Sequence, residues 1–380
     1  MARYLIVTWD GAGNLVPTLG ITRALVERGH DVRMLGHEAI ADRCPDVGAR
    51  FIPMSQEVPW DALDDLADFE AEVKLMIGEL WFSTTIADDL ARELEREPAD
   101  AVMVDCMLFT ALDVALASGT PTATLFHLAY SLFRGGPLVE AFAPGLVIAN
   151  EQREKLGLRA VQSLGDAHDA CARAIVAVPK EFEPEVPDAA NVLRVGPVLD
   201  APSLWREIDE VDVHDGSEPL VLVSLSTGEQ GQADLLQRCV DAVAQLPVRA
   251  IVTTGSIDPA SVRAGTNTQV VRYVPHAEIL PSASLVITHA GLGTTMAALG
   301  RGVPLLCTPM GRDQFFNAEQ VQALGAGRML MPDSSSDEIA RAAAEILEDD
   351  RFKAGAKQMA VAIGGYGGAA EAATALEALG

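Results

Sequence analysis

Short apolar runs alternate with helix-length segments along this chain, in two separate series. An apolar run bounded by turn residues is consistent with a strand buried on both faces, and a helix between two such runs is the connection that parallel strands need. The first series starts with an apolar run at Arg3 to Thr8, passes Gly11 and Gly13, and takes on helical periodicity from Pro17 to Arg28. It resumes an extended run at Asp31 to Leu35, after Gly29-His30, a pair that ends a helix and lets the chain turn into the next parallel strand. Further strands are predicted at Ala101 to Val104, Thr122 to Phe126 and Ala174 to Val178, with a helix over Asp113 to Ser118. The pattern predicts a doubly wound α/β sheet.

The second series follows an acidic, proline-containing stretch without periodicity, Gly196 to Glu218, which reads as a linker. Strands are predicted at Leu220 to Leu225, Arg249 to Thr254, Gln269 to Arg272, Leu285 to Thr288 and Pro304 to Thr308. Helices are predicted at Asp234 to Leu246, Thr294 to Arg301, Asn317 to Leu324 and Ser336 to Glu348. The predicted organisation is an N-terminal domain over 1–198, a linker over 199–218 and a C-terminal domain over 219–368. An alanine-rich helix over 369–380 is expected to cross back onto the first domain. Two Rossmann-like domains would then face a central cleft between the carboxyl ends of their sheets, where open α/β sheets bind ligands.

Composition narrows the ligand classes. A chain of 380 residues, 49% hydrophobic, is too long for one core, in agreement with two domains. Its net charge of −26 disfavours nucleic acid and anionic membrane surfaces, and obliges any phosphorylated ligand to find a local site that overcomes the global field. No apolar stretch approaches the ~20 residues that span a bilayer. Met1 to Asp10 lacks the pattern of a secretory signal, and Cys44, Cys106, Cys171, Cys239 and Cys307 are scattered without a CxxC pair. These features predict a cytoplasmic protein with reduced core cysteines and no structural zinc site. A homodimer is compatible with them.

The strongest chemical signal is Thr288-His289-Ala290-Gly291-Leu292-Gly293-Thr294-Thr295, directly after a predicted strand and before a predicted helix. Glycines let the backbone close on an anion, the helix start offers unpaired N–H groups and a positive dipole end, and two hydroxyls add donors. The spacing is not that of a Walker A loop. Around it lie Arg272-Tyr273-Val274-Pro275-His276 and Pro309-Met310-Gly311-Arg312-Asp313-Gln314.

From about Val271 to Arg328 the chain resembles the nucleotide-sugar donor signature of the family 1 glycosyltransferases of GT-B fold, most of all bacterial members that decorate natural-product aglycones. The resemblance extends to the opening strand and helix, to Val195-Gly196-Pro197-Val198 and to Val223-Ser224-Leu225-Ser226-Thr227. It implies that His289, Gly291, Gly293, Thr294 and Thr295 bind the donor diphosphate, with Ser226 and Thr227 near the phosphates. It further implies that the backbone around Val274 reads a pyrimidine edge and that Asp313 and Gln314 hydrogen-bond sugar hydroxyls.

Two departures from the family pattern stand out. Where relatives of this kind have a glutamate for the ribose hydroxyls, this chain has Ala297, which suits a deoxyribose carrier such as dTDP without establishing it. Where they have a histidine base after the first strand, this chain has Asn14, which cannot take a proton at neutral pH. The catalytic candidates at that edge are Asp105, which matches the aspartate that orients the missing histidine, Asn14 itself and Asp10. His127, past another predicted strand, is a further one. A phenolic acceptor, partly ionised already, would need no base.

Asn14, Trp60, Trp81, Phe109 and His127 are expected to line the acceptor pocket. The implied activity is an inverting, metal-independent transfer, without a cofactor, of a sugar from a dTDP- or UDP-sugar to a small hydrophobic, aromatic or polyketide-like acceptor. Two other readings stay open: a nucleotide-sugar epimerase of the same fold, and a catalytically silent homologue that acts as a binding partner.

Overall fold

A computed structural model of the chain describes residues 1–11, 13–57, 74–135, 137–184, 186–199, 207–213, 217–226 and 230–380. It divides into two units, Met1–Pro202 with Tyr366–Gly380, and Ser203–Gly365. Among the described residues the first unit has seven strands: β1 (Arg3–Val7), β2 (Asp31–Gly36), β3 (Arg50–Pro53), β4 (Ala101–Asp105), β5 (Thr122–Phe126), β6 (Arg173–Val176) and β7 (Val192–Arg194). All neighbours pair in parallel, in the order β3-β2-β1-β4-β5-β6-β7. The direction of winding reverses between β1 and β4, so the loops after these two strands leave to opposite faces and open a crevice at their carboxyl ends.

Every residue of β4 and β5 is buried, as expected of strands covered on both faces. Val102 and Val104 pack with Leu5, Val7 and Leu112 in one cluster, and each such side chain removed from water is worth roughly 1.5–3 kcal/mol. The helix Leu15–Glu27 ends where Gly29–His30 predicts. Gly29 adopts φ 84°, its N–H donates to the Val26 carbonyl, and the His30 N–H donates to the Leu25 carbonyl, the hydrogen-bond pair of a Schellman motif. The C-terminal helix Gly368–Glu377 packs on Leu15–Glu27 within this unit. The Arg28 guanidinium joins them, donating to Glu377 (2.7 Å), Thr374 Oγ1 (3.0 Å) and the Ala370 carbonyl (2.6 Å).

The second unit holds β8 (Leu220–Ser224), β9 (Arg249–Thr253), β10 (Thr268–Val271), β11 (Ala283–Thr288), β12 (Leu305–Cys307) and β13 (Gly327–Met329). They form a parallel sheet ordered β10-β9-β8-β11-β12-β13, which reverses between β8 and β11. Val221, Val223, Leu285 and Ile287 pack against Leu236, Ile339 and Ala343 of the covering helices. The helix Ser336–Glu348 starts with a capping box: Ser335 Oγ accepts from the Glu338 N–H while the Glu338 carboxylate accepts from the Ser335 N–H.

Strands β3, β7 and β13 and the helices Thr84–Arg96, Ala143–Lys155 and Asp350–Ile363 were not expected from the sequence. The three strands are only three or four residues long, and β3 and β7 carry half-exposed or exposed positions, so they lack the apolar run that marks a central strand. All five cysteines are free and buried. No helix among the described residues is long and apolar enough to cross a membrane.

Candidate functional site

In the first unit the reversal between β1 and β4 brings the residues singled out around Asn14 to one sheet edge. Asn14, at the start of the helix Leu15–Glu27, is 1% exposed. Its amide nitrogen lies 3.2 Å from Thr8 Oγ1, 2.9 Å from the Trp9 carbonyl and 3.1 Å from Asp105 Oδ2, and its oxygen accepts from the Gly11 N–H at 3.0 Å. The side chain is therefore a buried tie between the loop after β1 and the end of β4.

Asp105 ends β4 and is 2% exposed. Besides Asn14, its Oδ2 meets His127 Nδ1 at 3.1 Å, and its Oδ1 accepts from the Met107 N–H at 2.9 Å. Burial alone would raise this carboxyl, but the His127 charge and the three hydrogen bonds outweigh it and hold the group below the usual carboxylate range. Both carboxylate oxygens are thus engaged, Oδ2 by Asn14 and His127 and Oδ1 by the Met107 N–H.

His127 follows β5, the strand next to β4. Burial pushes its imidazole down, yet the facing Asp105 and Cys106 pull it well above its ordinary value. Cys106 Sγ lies 3.7 Å from Nδ1, and burial raises its thiol. Ligand atoms of Asp105, Cys106 and His127 lie within 4.8 Å of one another, a set of N, O and S donors that suits zinc in chemistry. Sequence spacing gave no hint of this grouping, because two adjacent strand ends create it. Asp10 sits half-buried just past β1.

The predicted aromatic lining fares unevenly. Trp60 lies outside the described residues. Phe109 is 1% exposed and stacks on Phe82 at 4.7 Å, so it belongs to the core, because the first turn of its helix faces inward. Trp81 is half-buried, edge-on to Phe142 at 4.8 Å, with its indole N–H buried and unpartnered.

In the second unit the corresponding edge lies at the ends of β8 and β11. His289 follows β11 and is 8% exposed. Burial, reinforced by the charge of Arg312 and by His276, pushes it down to about 4, so it is neutral at physiological pH. A Cβ at Gly291 would stand 2.6 Å from His289 Nε2, so glycine lets the loop pass this close without displacing the ring. The helix Leu292–Gly300 starts there, with Gly293 exposed and Thr294 half-buried in its first turn, where backbone N–H groups have no intrahelical partner. Thr295 is fully buried, and its hydroxyl has no partner among the described residues.

Ser224, Ser226, Thr253, Arg272, Tyr273 and His276 line a recess at the same edge. Thr253 Oγ1 donates to Ser224 Oγ at 2.9 Å, and Ser224 Oγ lies 3.2 Å from His276 Nε2. Burial alone pushes His276 down to about 4. The Val274 side chain is 1% exposed, so any recognition there falls to its backbone. The neighbouring Tyr273 N–H and carbonyl are already paired with Asp209. Thr227 lies outside the described residues, and Ser226 Oγ accepts from Gln230 at 2.8 Å.

Asp313 and Gln314 part company. Asp313 is half-buried and accepts from Asn317 at 2.8 Å, whereas Gln314 is 2% exposed and clasps its own loop. Its oxygen accepts from the Met310 and Gly311 N–H groups and its nitrogen donates to Gln230, so this amide clasps the loop. Arg312, on the same loop and near enough to depress His289, had no role assigned to it from the sequence.

Residues 237–379 match the family described as erythromycin biosynthesis protein CIII-like, C-terminal domain. Over 420 aligned residues the chain is 27% identical to demethyllactenocin mycarosyltransferase of Streptomyces fradiae, covering 100% of this chain and 87% of that relative. The solved glycotransferase of kitacinnamycin superposes with a TM-score of 0.83 at 22% identity, over 100% of this chain and 99% of the other. The glycosyltransferase VinC in complex with dTDP superposes at 0.77 and 18% identity, over 99% of each chain.

Proposed function

We propose that this chain, which is similar over its whole length to glycosyltransferases and superposes on structures of the GT-B fold, moves a sugar from a dTDP- or UDP-sugar to a small hydrophobic natural-product acceptor. The observation that carries this reading is the neutral cradle at the β11 edge. A buried neutral His289, a glycine whose lack of Cβ admits close approach, and a helix start together offer donors to a diphosphate in an otherwise acidic protein. Ala297 in the same helix, and a structure of the same fold solved with dTDP, favour the deoxyribose carrier.

The proposed reaction is one in-line displacement with inversion. The acceptor oxygen bonds to the anomeric carbon as the bond to the diphosphate oxygen breaks, the nucleoside diphosphate leaves with the electron pair, and the acceptor proton passes to a base or to water. Charge on the leaving group is met by the His289 loop and the helix start, so the reaction requires no metal.

Calorimetry with dTDP and UDP, followed by a screen of phenolic and alcoholic acceptors read by mass spectrometry with and without EDTA, tests it. Tight nucleotide binding with no transfer to any acceptor would remove the assignment. A rate abolished by EDTA would remove its metal independence.

A further inference from the structure

We propose that His127 is the general base of this enzyme, relocated to the end of β5 and held by Asp105, while Asn14 fills the place where a base was expected. The inference rests on the sugar-transfer reading above. Three features of the first unit carry it. His127 Nδ1 lies 3.1 Å from the buried Asp105 carboxylate, which fixes the tautomer with its proton on Nδ1 and leaves the lone pair on Nε2. Nε2 has no hydrogen-bond partner among the described residues, although the ring is only 7% exposed. Asp105 is in turn fixed by the Asn14 amide and the Met107 N–H, so the carboxylate cannot swing away from the ring. An imidazole with one nitrogen tied to a carboxylate and the other unpaired, at the carboxyl end of a parallel sheet, has the geometry of an oriented base.

In the proposed step Nε2 takes the acceptor hydroxyl proton as that oxygen bonds to the anomeric carbon and the diphosphate leaves, and the imidazolium later gives the proton to water. Asp105 is a positioning residue that stabilises the imidazolium. The titratable groups facing the ring are Asp105 on β4 and Cys106 after it. His168 touches the Cys106 carbonyl and stays neutral. The base-competent form is the neutral imidazole with its proton on Nδ1 toward Asp105.

The experiment compares an aliphatic alcohol acceptor with an acidic phenol across pH 5.5–9.5, in the wild-type enzyme and in His127→Ala, with dTDP affinity measured for both. In the wild type the alcohol rate should rise through one ionisation above about 6.5 while the phenol rate stays nearly flat. In His127→Ala, kcat on the alcohol should fall about 10²–10⁴-fold with KM and dTDP affinity little changed, and added imidazole should restore part of it. Asp105→Asn should shift the alkaline limb downward, a change that a merely structural role would not produce. If wild-type enzyme transfers sugar but His127→Ala keeps the alcohol rate and pH profile, this inference alone falls. If wild-type enzyme transfers no sugar, the broader reading falls with it. Should His127→Ala not fold, the wild-type pH profiles decide: an alcohol rate without the ionisation overturns the proposal. Stoichiometric zinc that is lost on Cys106→Ser also overturns it, because Nδ1 would then be a ligand.

Discussion

The Asn14 amide nitrogen sits 3.1 Å from Asp105 Oδ2, joining the loop after β1 to the end of β4 across the point where the first sheet reverses direction. Both side chains are buried, so removing the donor leaves part of an anion without its partner. Asn14→Ala should cost about 1–3 kcal/mol in urea denaturation. Asn14→Asp should cost more at pH 8 than at pH 5. A second carboxylate there raises the folded pKa of the pair, and stability gained from a raised carboxyl is lost as pH rises through that value. Equal losses at both pH values would refute the like-charge account.

At the other edge, Gly291→Ala should displace the His289 ring, because the new Cβ would lie 2.6 Å from Nε2. Affinity for dTDP should fall about tenfold or more, a loss of at least ~1.4 kcal/mol. Gly78→Ala in the first unit, whose added methyl group would likewise meet no other atom within 4 Å, should leave fold and affinity unchanged and serves as the matched control. Calorimetry on the two variants tests the difference.

His168, His276 and His289 are each pushed down to about 4 by burial. Between about 6.5, the unfolded value, and 4 the unfolded chain therefore binds more protons at these sites, and their contribution to stability declines as pH falls, by ~1.4 kcal/mol per pH unit for each. Asp113, raised to about 7 by burial against the pull of Arg153, opposes this slope, so a variant comparison is needed. The urea midpoint of His276→Asn should decline less steeply from about pH 6.5 to 5 than that of the wild type. Parallel curves would show that His276 is not buried in its neutral form.

Gly196 has φ 70°, and a Cβ there would stand 2.5 Å from Tyr366 Cβ. The Tyr366 hydroxyl accepts from the Lys180 N–H and donates to Glu181, pinning the start of the C-terminal segment to the first unit. Gly196→Ala should destabilise the protein by about 1–3 kcal/mol, read as a lower melting temperature, through strain in both φ and contact. Nucleotide affinity should be spared. An unchanged melting temperature would mean that Tyr366 moves aside freely.

The α/β class, the two parallel series and the Gly29 turn were legible because each depends on local pattern: apolar runs of strand length, helical periodicity and a left-handed glycine. The motif at His289 to Thr294 was legible for the same reason, since the loop and the helix start that form it are contiguous in sequence. Short strands such as β7 escaped because their pairing partners, not their own residues, make them strands.

What sequence alone determined about this protein was its fold class and the glycine loop and helix start after His289, both written in neighbouring residues. Tertiary structure decided the rest. It turned Thr295, Phe109 and Gln314 inward, made Asn14 a tie between loops, and set His127 against Asp105, distant in the chain but on the next strand end. The physical reason is that a helix position faces either sheet or solvent according to what packs on it. The protonation of a buried group, likewise, depends on charges that only the folded sheet brings within hydrogen-bond distance.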